Sequence, residues 1–491
     1  MYRKSLYVLS LISVLYFGAI ACSNSGGGNS CNPVAQTGCG TGLVCEQVTD
    51  GSTACFSPVT LKGAVKDPLT GQPIVGARVV ALDANGSAAS NVAITDANGN
   101  YELQVFSTRD PNGDPVSTIF LRADAAGFQS FPGLRIPFAV DLTAAIPSGD
   151  GFLLDNALTQ LQLVSLTDPA ATSGTIEGSV QLPPDHLSVL VVAELENGDP
   201  CPTLMLGNDC TAIAGEDGAF KIFNLDAGTY LVKAFVQGSN YNSVTINLAD
   251  GQAGVAGTLA VNGDATATLA GKVNIVNPGI GNATSVVLVL KSTLLQINSQ
   301  FAGLTDLPIV IRGPVPPGLR VANVSGAFNL DGIPAGTYVI LAAFENDNLV
   351  RDPDPCIAGT DILEQAFTAG QSVDLSSNPF KVTGALDNPT PTNNAISTAN
   401  PTFTWDDDSS EDNYLISVTN SFGEIMGEAL LPGHTGGPTV SAIYNSDVAG
   451  LPLTPGFYQF HVYSINDPTG GCPMQHAISQ TEDLLGTFEV P

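Results

Sequence analysis

The sequence predicts an all-β fold made of tandem β-sandwich modules, and three observations lead to that prediction. The chain of 491 residues is longer than a single hydrophobic core usually organises. Its 52 Gly and 33 Pro residues separate many short apolar runs, as turns separate strands. The segment "DGAFKIFNLDAGTYLVKAF" (217–235) returns 108 residues later as "SGAFNLDGIPAGTYVILAAF" (325–344), which indicates a duplicated module of about that size.

The charge of the chain argues against nucleic acid as a partner. There are 46 acidic and 16 basic residues, and the formal net charge of −30 repels phosphate backbones. The carboxylates are spread thinly along the chain, which is typical of an exported protein that its charge keeps soluble.

Residues 1–21 have the features of an export signal. Two basic residues precede an apolar run that ends in the junction "AIAC". The junction resembles a bacterial lipobox, which implies that Cys22 is lipidated and anchors the chain to a membrane. The same junction also satisfies the A-x-A rule through Ala19 and Ala21, and the alternative is therefore a soluble secreted protein.

The residues after Cys22 extend the lipoprotein prediction. Ser23 resembles the sorting signal of Gram-negative outer-membrane lipoproteins, which implies a location in the cell envelope at the outer membrane. Residues 22–30 are rich in Ser, Gly and Asn, a composition that predicts a flexible tether.

The cysteines suit an oxidising compartment. The chain has nine, and lipidation of Cys22 leaves an even set of eight candidates for disulfides. These candidates are Cys31, Cys39, Cys45, Cys55, Cys201, Cys210, Cys356 and Cys472.

Three groups of these cysteines have different expected roles. The first four lie in residues 31–58, where two disulfides would order a segment too small for its own core; all three pairings stay open, and a zinc site is the alternative. Cys201 and Cys210 are expected to close a hairpin or loop. Cys356 and Cys472 either join two modules or are free thiols.

The first predicted sandwich covers residues 59–165. Its runs "ARVVALD" and "YELQV" alternate as half-buried strands do, and the Gly- and Asn-containing segments between them predict turns. The segment resembles the carboxypeptidase regulatory-like domain, a transthyretin-like β-sandwich. The residues that carry this resemblance are Gly63, Val65, Thr70, Gly71, Pro73, Ile74, Gly76, Ala77, Val79, Thr95, Asp96, Gly99 and Tyr101.

Two further segments share this pattern and predict a second sandwich at 172–262 and a third at 265–383. Each combines a strand-like opening, an apolar run ("SVLVVAEL" or "SVVLVLK") and one copy of the repeated segment. The first sandwich differs after Tyr101, where it carries "FSTRDPNGDP".

Residues 384–491 are predicted to form a linker and a last module. The segments "PTFTWDDDSSEDNYLISV" and "LPLTPGFYQF" resemble a fibronectin type III or related immunoglobulin-like module, with Trp405 as its buried core residue.

The repeated segments carry a motif in which Gly is followed by Tyr two residues later. It occurs at Gly228 and Tyr230, at Gly336 and Tyr338, and at Gly456 and Tyr458. The arrangement resembles the tyrosine corner of immunoglobulin-like sandwiches, which implies that each Tyr hydroxyl bonds to the backbone upstream while the Gly permits a tight turn. A motif shared by two module types favours a role in architecture over an active site.

The sequence contains no recognised catalytic signature, and no catalytic or cofactor-binding residue is predicted. The chain has four His and no H-x-x-E or H-E-x-x-H, and only the accessory sandwich of a carboxypeptidase has a counterpart here. The densest acidic run is Asp406 to Asp412, for which a calcium site is the alternative to an ordinary solvated loop.

These features predict a non-catalytic, lipid-anchored cell-surface protein with a structural or adhesive role. Its sandwiches would present surfaces to a protein or peptide, and no ligand is specified. The second hypothesis is a carbohydrate-binding surface lipoprotein, for which exposed aromatic side chains would be required. The third is a hydrolase built from scattered carboxylates.

Overall fold

A computed structural model describes most of the chain from residue 31 onwards. The described residues are 31–491 apart from 34–35, 133–137, 167–173, 185, 197–200, 202–208, 277–283, 302–303, 323, 345–362, 384, 409–410, 423, 435, 467–475 and 482–483. In this part of the chain the elements are β-strands and a few short 3-10 helices. No helix within it is long and apolar enough to cross a membrane. Cys22, Cys356 and Cys472 lie outside the described residues.

The Cys-rich segment contains a small antiparallel hairpin, and two disulfides join its strands to the residues that precede it. Strands β1 (Val44–Gln47) and β2 (Thr53–Phe56) place Cys45 opposite Cys55. The bonded pairs are Cys31 with Cys45 and Cys39 with Cys55, which resolves the pairing that the sequence left open.

The first sandwich has two sheets. Its strands are β3 (Val59–Lys66), β4 (Arg78–Asp83), β5 (Ala93–Ile94), β6 (Asn100–Val105), β7 (Thr118–Asp124), β8 (Val140–Asp141), β9 (Ile146–Ser148), β10 (Gly151–Leu154) and β11 (Gln160–Gln162), with 3-10 helices at Leu142–Ala144 and Ala157–Thr159. In one sheet β3 pairs antiparallel with β6 and parallel with both β10 and β11. The other sheet has the order β5-β4-β7-β8.

The second sandwich repeats this topology. Its strands are β12 (Gly174–Val180), β13 (Val189–Leu195), β14 (Thr211–Ala214), β15 (Ala219–Leu225), β16 (Gly228–Phe235), β17 (Val244–Leu248) and β18 (Ala253–Leu259). The sheets have the orders β15-β12-β18 and β14-β13-β16-β17. Cys201 and Cys210 are disulfide-bonded, as predicted from their position in one loop.

The third sandwich has the same two sheets and an inserted hairpin. Its strands are β19 (Ala267–Val276), β20 (Thr284–Leu290), β21 (Leu294–Phe301), β22 (Leu304–Arg312), β23 (Arg320–Val321), β24 (Ala327–Ile333), β25 (Gly336–Phe344), β26 (Leu363–Phe367), β27 (Ser372–Asp374) and β28 (Phe380–Thr383), with a 3-10 helix at Lys291–Thr293. Strands β24-β19-β27 and β23-β20-β25-β26 form the sheets, and β21 pairs with β22. The predicted tandem sandwiches are therefore three copies of one topology.

The C-terminal module is a sandwich of a different order. Its strands are β29 (Ala395–Ile396), β30 (Thr402–Asp406), β31 (Asn413–Asn420), β32 (Ile425–Pro432), β33 (Thr439–Ile443), β34 (Gly456–Asn466), β35 (His476–Gln480) and β36 (Thr487–Val490). One sheet follows β29-β36-β34-β31-β32 with β35 on β34, and the other is the pair β30-β33. Trp405 is fully buried between them with its ring 5.3 Å from that of Tyr414, as expected for the core residue.

One hydrophobic cluster joins the three repeated sandwiches, and the first two sandwiches also have cores of their own. Val80 and Leu82 of β4 pack into the same cluster as Leu190 of β13 and Leu288 of β20, whereas Val79 faces the core of its own sandwich. The prediction that "ARVVALD" is half-buried is therefore wrong, because a neighbouring sandwich covers the second face of β4. The prediction for "YELQV" is confirmed, since β6 alternates strictly between exposed and buried residues.

Buried polar side chains reinforce the contact between the first two sandwiches. The Arg122 guanidinium is almost fully buried and bonds Asp124 at 2.8 Å and Asp209 of the second sandwich at 2.9 Å. Burial lowers the pKa of Arg122, but the charges of Asp124 and Asp209 raise it by more, so the residue stays cationic. Asn224 adds neutral bonds to the backbone of Ala125 and Phe128 at 2.9 and 2.8 Å.

Candidate functional site

The three repeated Gly-Tyr motifs are tyrosine corners. Tyr230 donates to Asp226 O at 3.0 Å, Tyr338 to Pro334 O at 3.0 Å, and Tyr458 to Thr454 O at 2.7 Å. Burial raises the pKa of Tyr230 to about 12 and that of Tyr338 well above its ordinary value, so both hydroxyls remain donors. These predicted residues hold strands in place and do not line a site.

The glycines of the first two corners act differently from the prediction. Gly228 and Gly336 have no left-handed backbone. A Cβ added at Gly228 would lie 3.4 Å from the Tyr230 ring, and one at Gly336 would lie 3.3 Å from the Tyr338 ring and 3.1 Å from Phe235. A Cβ at Gly336 would thus be closer to these rings than an ordinary contact allows, whereas one at Gly228 would make an ordinary van der Waals contact. A left-handed turn is the reason for glycine at neither position.

The divergent segment "FSTRDPNGDP" of the first sandwich docks the Cys-rich hairpin. Arg109 and Glu46 form an ion pair with both side chains almost fully buried, and Arg109 also donates to Ser57 O at 2.9 Å. Burial raises the pKa of Glu46, while Arg109 opposes that shift. Sequence reasoning missed this pair, and its only signal was a rare Arg within the segment that departs from the repeat.

The described carboxylates of the acidic run 406–412 are engaged separately. Asp406 accepts from Asn388 at 2.8 Å, Asp407 from Tyr414 at 2.9 Å, and Asp408 from Ser464 at 2.9 Å. Glu411 accepts the backbone N–H of His434, also at 2.9 Å. Within the described part of the loop, no three of these carboxylates converge as cation ligands would.

Among the described residues, one cluster contains three side chains of types that bind metal ions. The sulfurs of Cys31, Cys39 and Cys55 lie within 4.8 Å of one another. All three belong to the two disulfides of the Cys-rich hairpin, and a disulfide sulfur is not the thiolate that binds zinc. The cluster reflects two adjacent disulfides.

A polar groove of about 620 Å³ runs along the first sandwich. Its lining includes Lys62, Asp96, Tyr101, Glu102 and Asp155. Lys62 pairs with Glu102 at 3.2 Å, and the Tyr101 hydroxyl donates to Thr159 O at 2.7 Å.

Aromatic side chains do not form an exposed platform in the described part of the chain. Each Phe, Tyr or Trp whose exposure is defined there is buried or half-buried. A sugar-binding surface of stacked rings has no counterpart among these residues.

Strand β33 presents an open edge in the C-terminal module. It pairs with β30, and the bonds Asp407 N to Pro438 O and Tyr444 N to Pro401 O set the alternation of the ladder. By that alternation the N–H and C=O groups of Thr439 and Ser441 point away from β30. No other described residue bonds these groups, and both side chains are exposed.

The opposite edge of the same two-stranded sheet is occupied. Thr390 and Thr404 exchange two backbone bonds of 2.8 Å, and Asp406 N donates to Asp387 O at 2.9 Å. The β30 edge is therefore closed, and β33 is the open edge of the two-stranded sheet. This edge is the candidate binding site that the structure defines best.

Comparison with known proteins gives distant likenesses. No model of a protein family matches the chain, and no curated protein matches its sequence. Among solved structures, the Bacillus anthracis TIE protein is 12% identical over 67% of this chain and 52% of its own, with a TM-score of 0.14. This chain thus spans about half the length of that protein.

Two pilins give similar figures. A Streptococcal ancillary pilin and BcpA, the major pilin subunit of Bacillus cereus, are each 12% identical over 66% of this chain and 98% of their own, with TM-scores of 0.17. Such TM-scores do not indicate a shared arrangement of the whole chain.

Proposed function

We propose that this protein is a non-catalytic, lipid-anchored protein of the cell surface with a structural or adhesive role. The observation that carries the proposal is that the buried ion pairs connect modules to one another. Arg122 and Asp209 join two sandwiches, and Arg109 and Glu46 join the Cys-rich hairpin to the first. Buried ionisable groups at an active site face a cleft, whereas these face other modules.

The apolar cluster common to the three sandwiches favours a rigid scaffold that carries binding surfaces. Sandwiches joined only by linkers move independently, but here one apolar cluster includes residues from β4, β13 and β20. The modules resemble carboxypeptidase regulatory-like and fibronectin type III-like domains, families whose sandwiches serve as accessory or recognition units. Held in fixed relation, such units display their loops and edges at a constant distance from the anchor.

The anchor is tested by changing the proposed acylated residue. Wild-type protein and the Cys22→Ala variant are expressed in a Gram-negative host, and membrane and soluble fractions are compared. We expect the wild type in the outer-membrane fraction and the variant in soluble or uncleaved form. Equal partitioning of the two would contradict lipid anchoring.

The surface role is tested in cells of the native organism. Protease added to intact cells should degrade the protein if it faces outward, and a periplasmic marker should survive as the control. Loss of attachment or envelope integrity in a deletion strain, restored by the wild type, would support a structural or adhesive role. A substrate that the purified protein turns over would contradict the non-catalytic proposal.

A further inference from the structure

We propose that the open edge of β33 binds an extended, Lys- or Arg-bearing segment of a partner protein as an added β-strand. The inference rests on the proposed binding role and specifies the partner's chemistry. It follows from the backbone geometry of the edge, from the strand's side chains, and from the charge of the module around it.

The backbone of β33 is prepared for strand addition. Thr439 and Ser441 together offer two N–H donors and two C=O acceptors along one line, which is the pattern that an incoming strand satisfies. Val440 and Ala442 between them are buried in the core, at 5% and 0% exposure, and hold the strand in register. The edge is therefore rigid before a partner arrives, which lowers the entropic cost of binding.

The strand lacks the features that usually protect an edge. Its sequence "TVSAI" contains no charge and no Pro, and its pairing with β30 has no bulge. By contrast, β32 at the edge of the larger sheet carries Glu428 and ends at Pro432, and the β31-β32 ladder has a register shift. Ile443 at the end of β33 is 43% exposed and adds an apolar contact for the partner.

The charge of the module determines which partner fits. Residues 384–491 contain thirteen Asp or Glu and no Lys or Arg. Asp406 lies opposite Thr439, and Asp447 accepts the Ile443 N–H at 2.8 Å. Asp447 therefore lies at one end of the edge, while Asp406 lies one strand further in, on β30, and adds to the negative charge around it. Basic side chains of a strand laid along β33 gain attraction and faster association in this acidic surrounding.

The same charges disfavour a second copy of this chain as the occupant. Pairing of two β33 edges would place two C-terminal modules that lack Lys and Arg side by side and join two chains of formal charge −30. A basic segment of another protein avoids this repulsion.

The test selects ligands from a peptide display library with the intact exported protein as bait. Binding is then measured by fluorescence anisotropy to the wild type and to two variants. Ser441→Pro removes the outward N–H and blocks the edge, yet leaves the bonds to β30 because Ser441 does not donate to that strand. Ser441→Ala is the matched control, since it keeps the backbone donor.

We expect selected peptides to be rich in Lys or Arg, to bind the wild type and Ser441→Ala equally, and to lose at least tenfold affinity for Ser441→Pro. Asp406→Asn with Asp447→Asn keeps the acceptors but removes the charges, and should weaken binding and its salt dependence. Fluorescence of Trp405 and circular dichroism confirm that the variants fold.

Several outcomes would overturn the proposal. These are selection of no binder, peptides without cationic enrichment, and equal affinity for Ser441→Pro. Dimerisation of the wild type by sedimentation that Ser441→Pro abolishes would assign the edge to a second copy instead. Peptides that bind regardless of Ser441 would refute this edge while leaving the wider binding role intact.

Discussion

Replacement of His461 by Leu should remove an acid sensitivity of the C-terminal module. His461 lies on β34 opposite Ser417, is 3% exposed, and has no hydrogen-bond partner at either ring nitrogen within the part of the chain that the structure describes. Burial lowers the pKa of His461 from 6.5 to about 3 in the folded protein. The neutral ring is tolerated there, but a proton on it would be buried with no counter-ion among the described residues.

The sign and size of the effect follow from this pKa. The folded-state pKa lies below that of the unfolded chain, so the unfolded chain takes up the proton first as the pH falls. The stabilisation is present above pH 6.5 and is lost progressively as the pH falls towards 3. A difference between 6.5 and about 3 corresponds to a loss of about 2 kcal/mol at pH 5 and about 3 kcal/mol at pH 4.

Trp405 provides the assay, because it is the single Trp of the chain and lies in the core of this module. Urea unfolding is followed by its fluorescence at pH 7, 6 and 5 for the wild type, His461→Leu and the control His434→Leu. The stability of His461→Leu relative to wild type should rise by about 2 kcal/mol from pH 7 to pH 5. A relative stability that stays constant over this range would refute the reasoning.

Three further predictions concern the architecture. Tyr338→Phe removes the hydroxyl that bonds the buried Pro334 carbonyl, and should lower the free energy of unfolding in urea by about 1–3 kcal/mol. The control Tyr241→Phe loses an exposed hydrogen bond and should lower it by less than about 0.5 kcal/mol. Equal losses in the two variants would contradict a stabilising role for the buried bond. Arg122→Met should lower the free energy of unfolding by about 3–5 kcal/mol, because it leaves Asp209 buried without its partner. In a double-mutant cycle, Arg122→Met with Asp209→Leu should lose less stability than the sum of the two single variants. Additive losses would argue against a coupled pair. Under graded reductant, mass spectrometry should find the Cys39–Cys55 disulfide, whose Cys55 is exposed, alkylated before the buried Cys31–Cys45 disulfide, and the reverse order would be inconsistent with the burial pattern.

Local patterns in the sequence predicted much of the fold. The alternation of "YELQV" predicted β6, and the repeated Gly-x-Tyr motif predicted three bonds from a Tyr hydroxyl to the backbone upstream. These features depend on residues close together in the chain, where periodicity and spacing carry the information.

Contacts between distant segments could not be predicted in this way. The continuous apolar run of β13 indicates burial on both faces, but the run does not indicate which sandwich covers the second face. Arg109 and Glu46 are 63 residues apart in sequence, and neither lies in a motif that points to the other. The sequence also could not predict that the edge of β33 is open. The side-chain pattern of a strand indicates which of its faces is buried, but it does not indicate which strands pair with it.

The apolar cluster common to the three sandwiches would hold the fragments together if a protease cut the chain between two of them. Arg78 donates to Ala219 O at 3.0 Å, and Arg312 to Asn85 O at 3.2 Å, so non-covalent bonds cross between sandwiches that the backbone also connects. A single cut between β11 and β12 would break the covalent connection and leave the packed surfaces intact. The fragments should then migrate together under native conditions and separate only in denaturant, so a surface protease could sever the chain without releasing its outer modules.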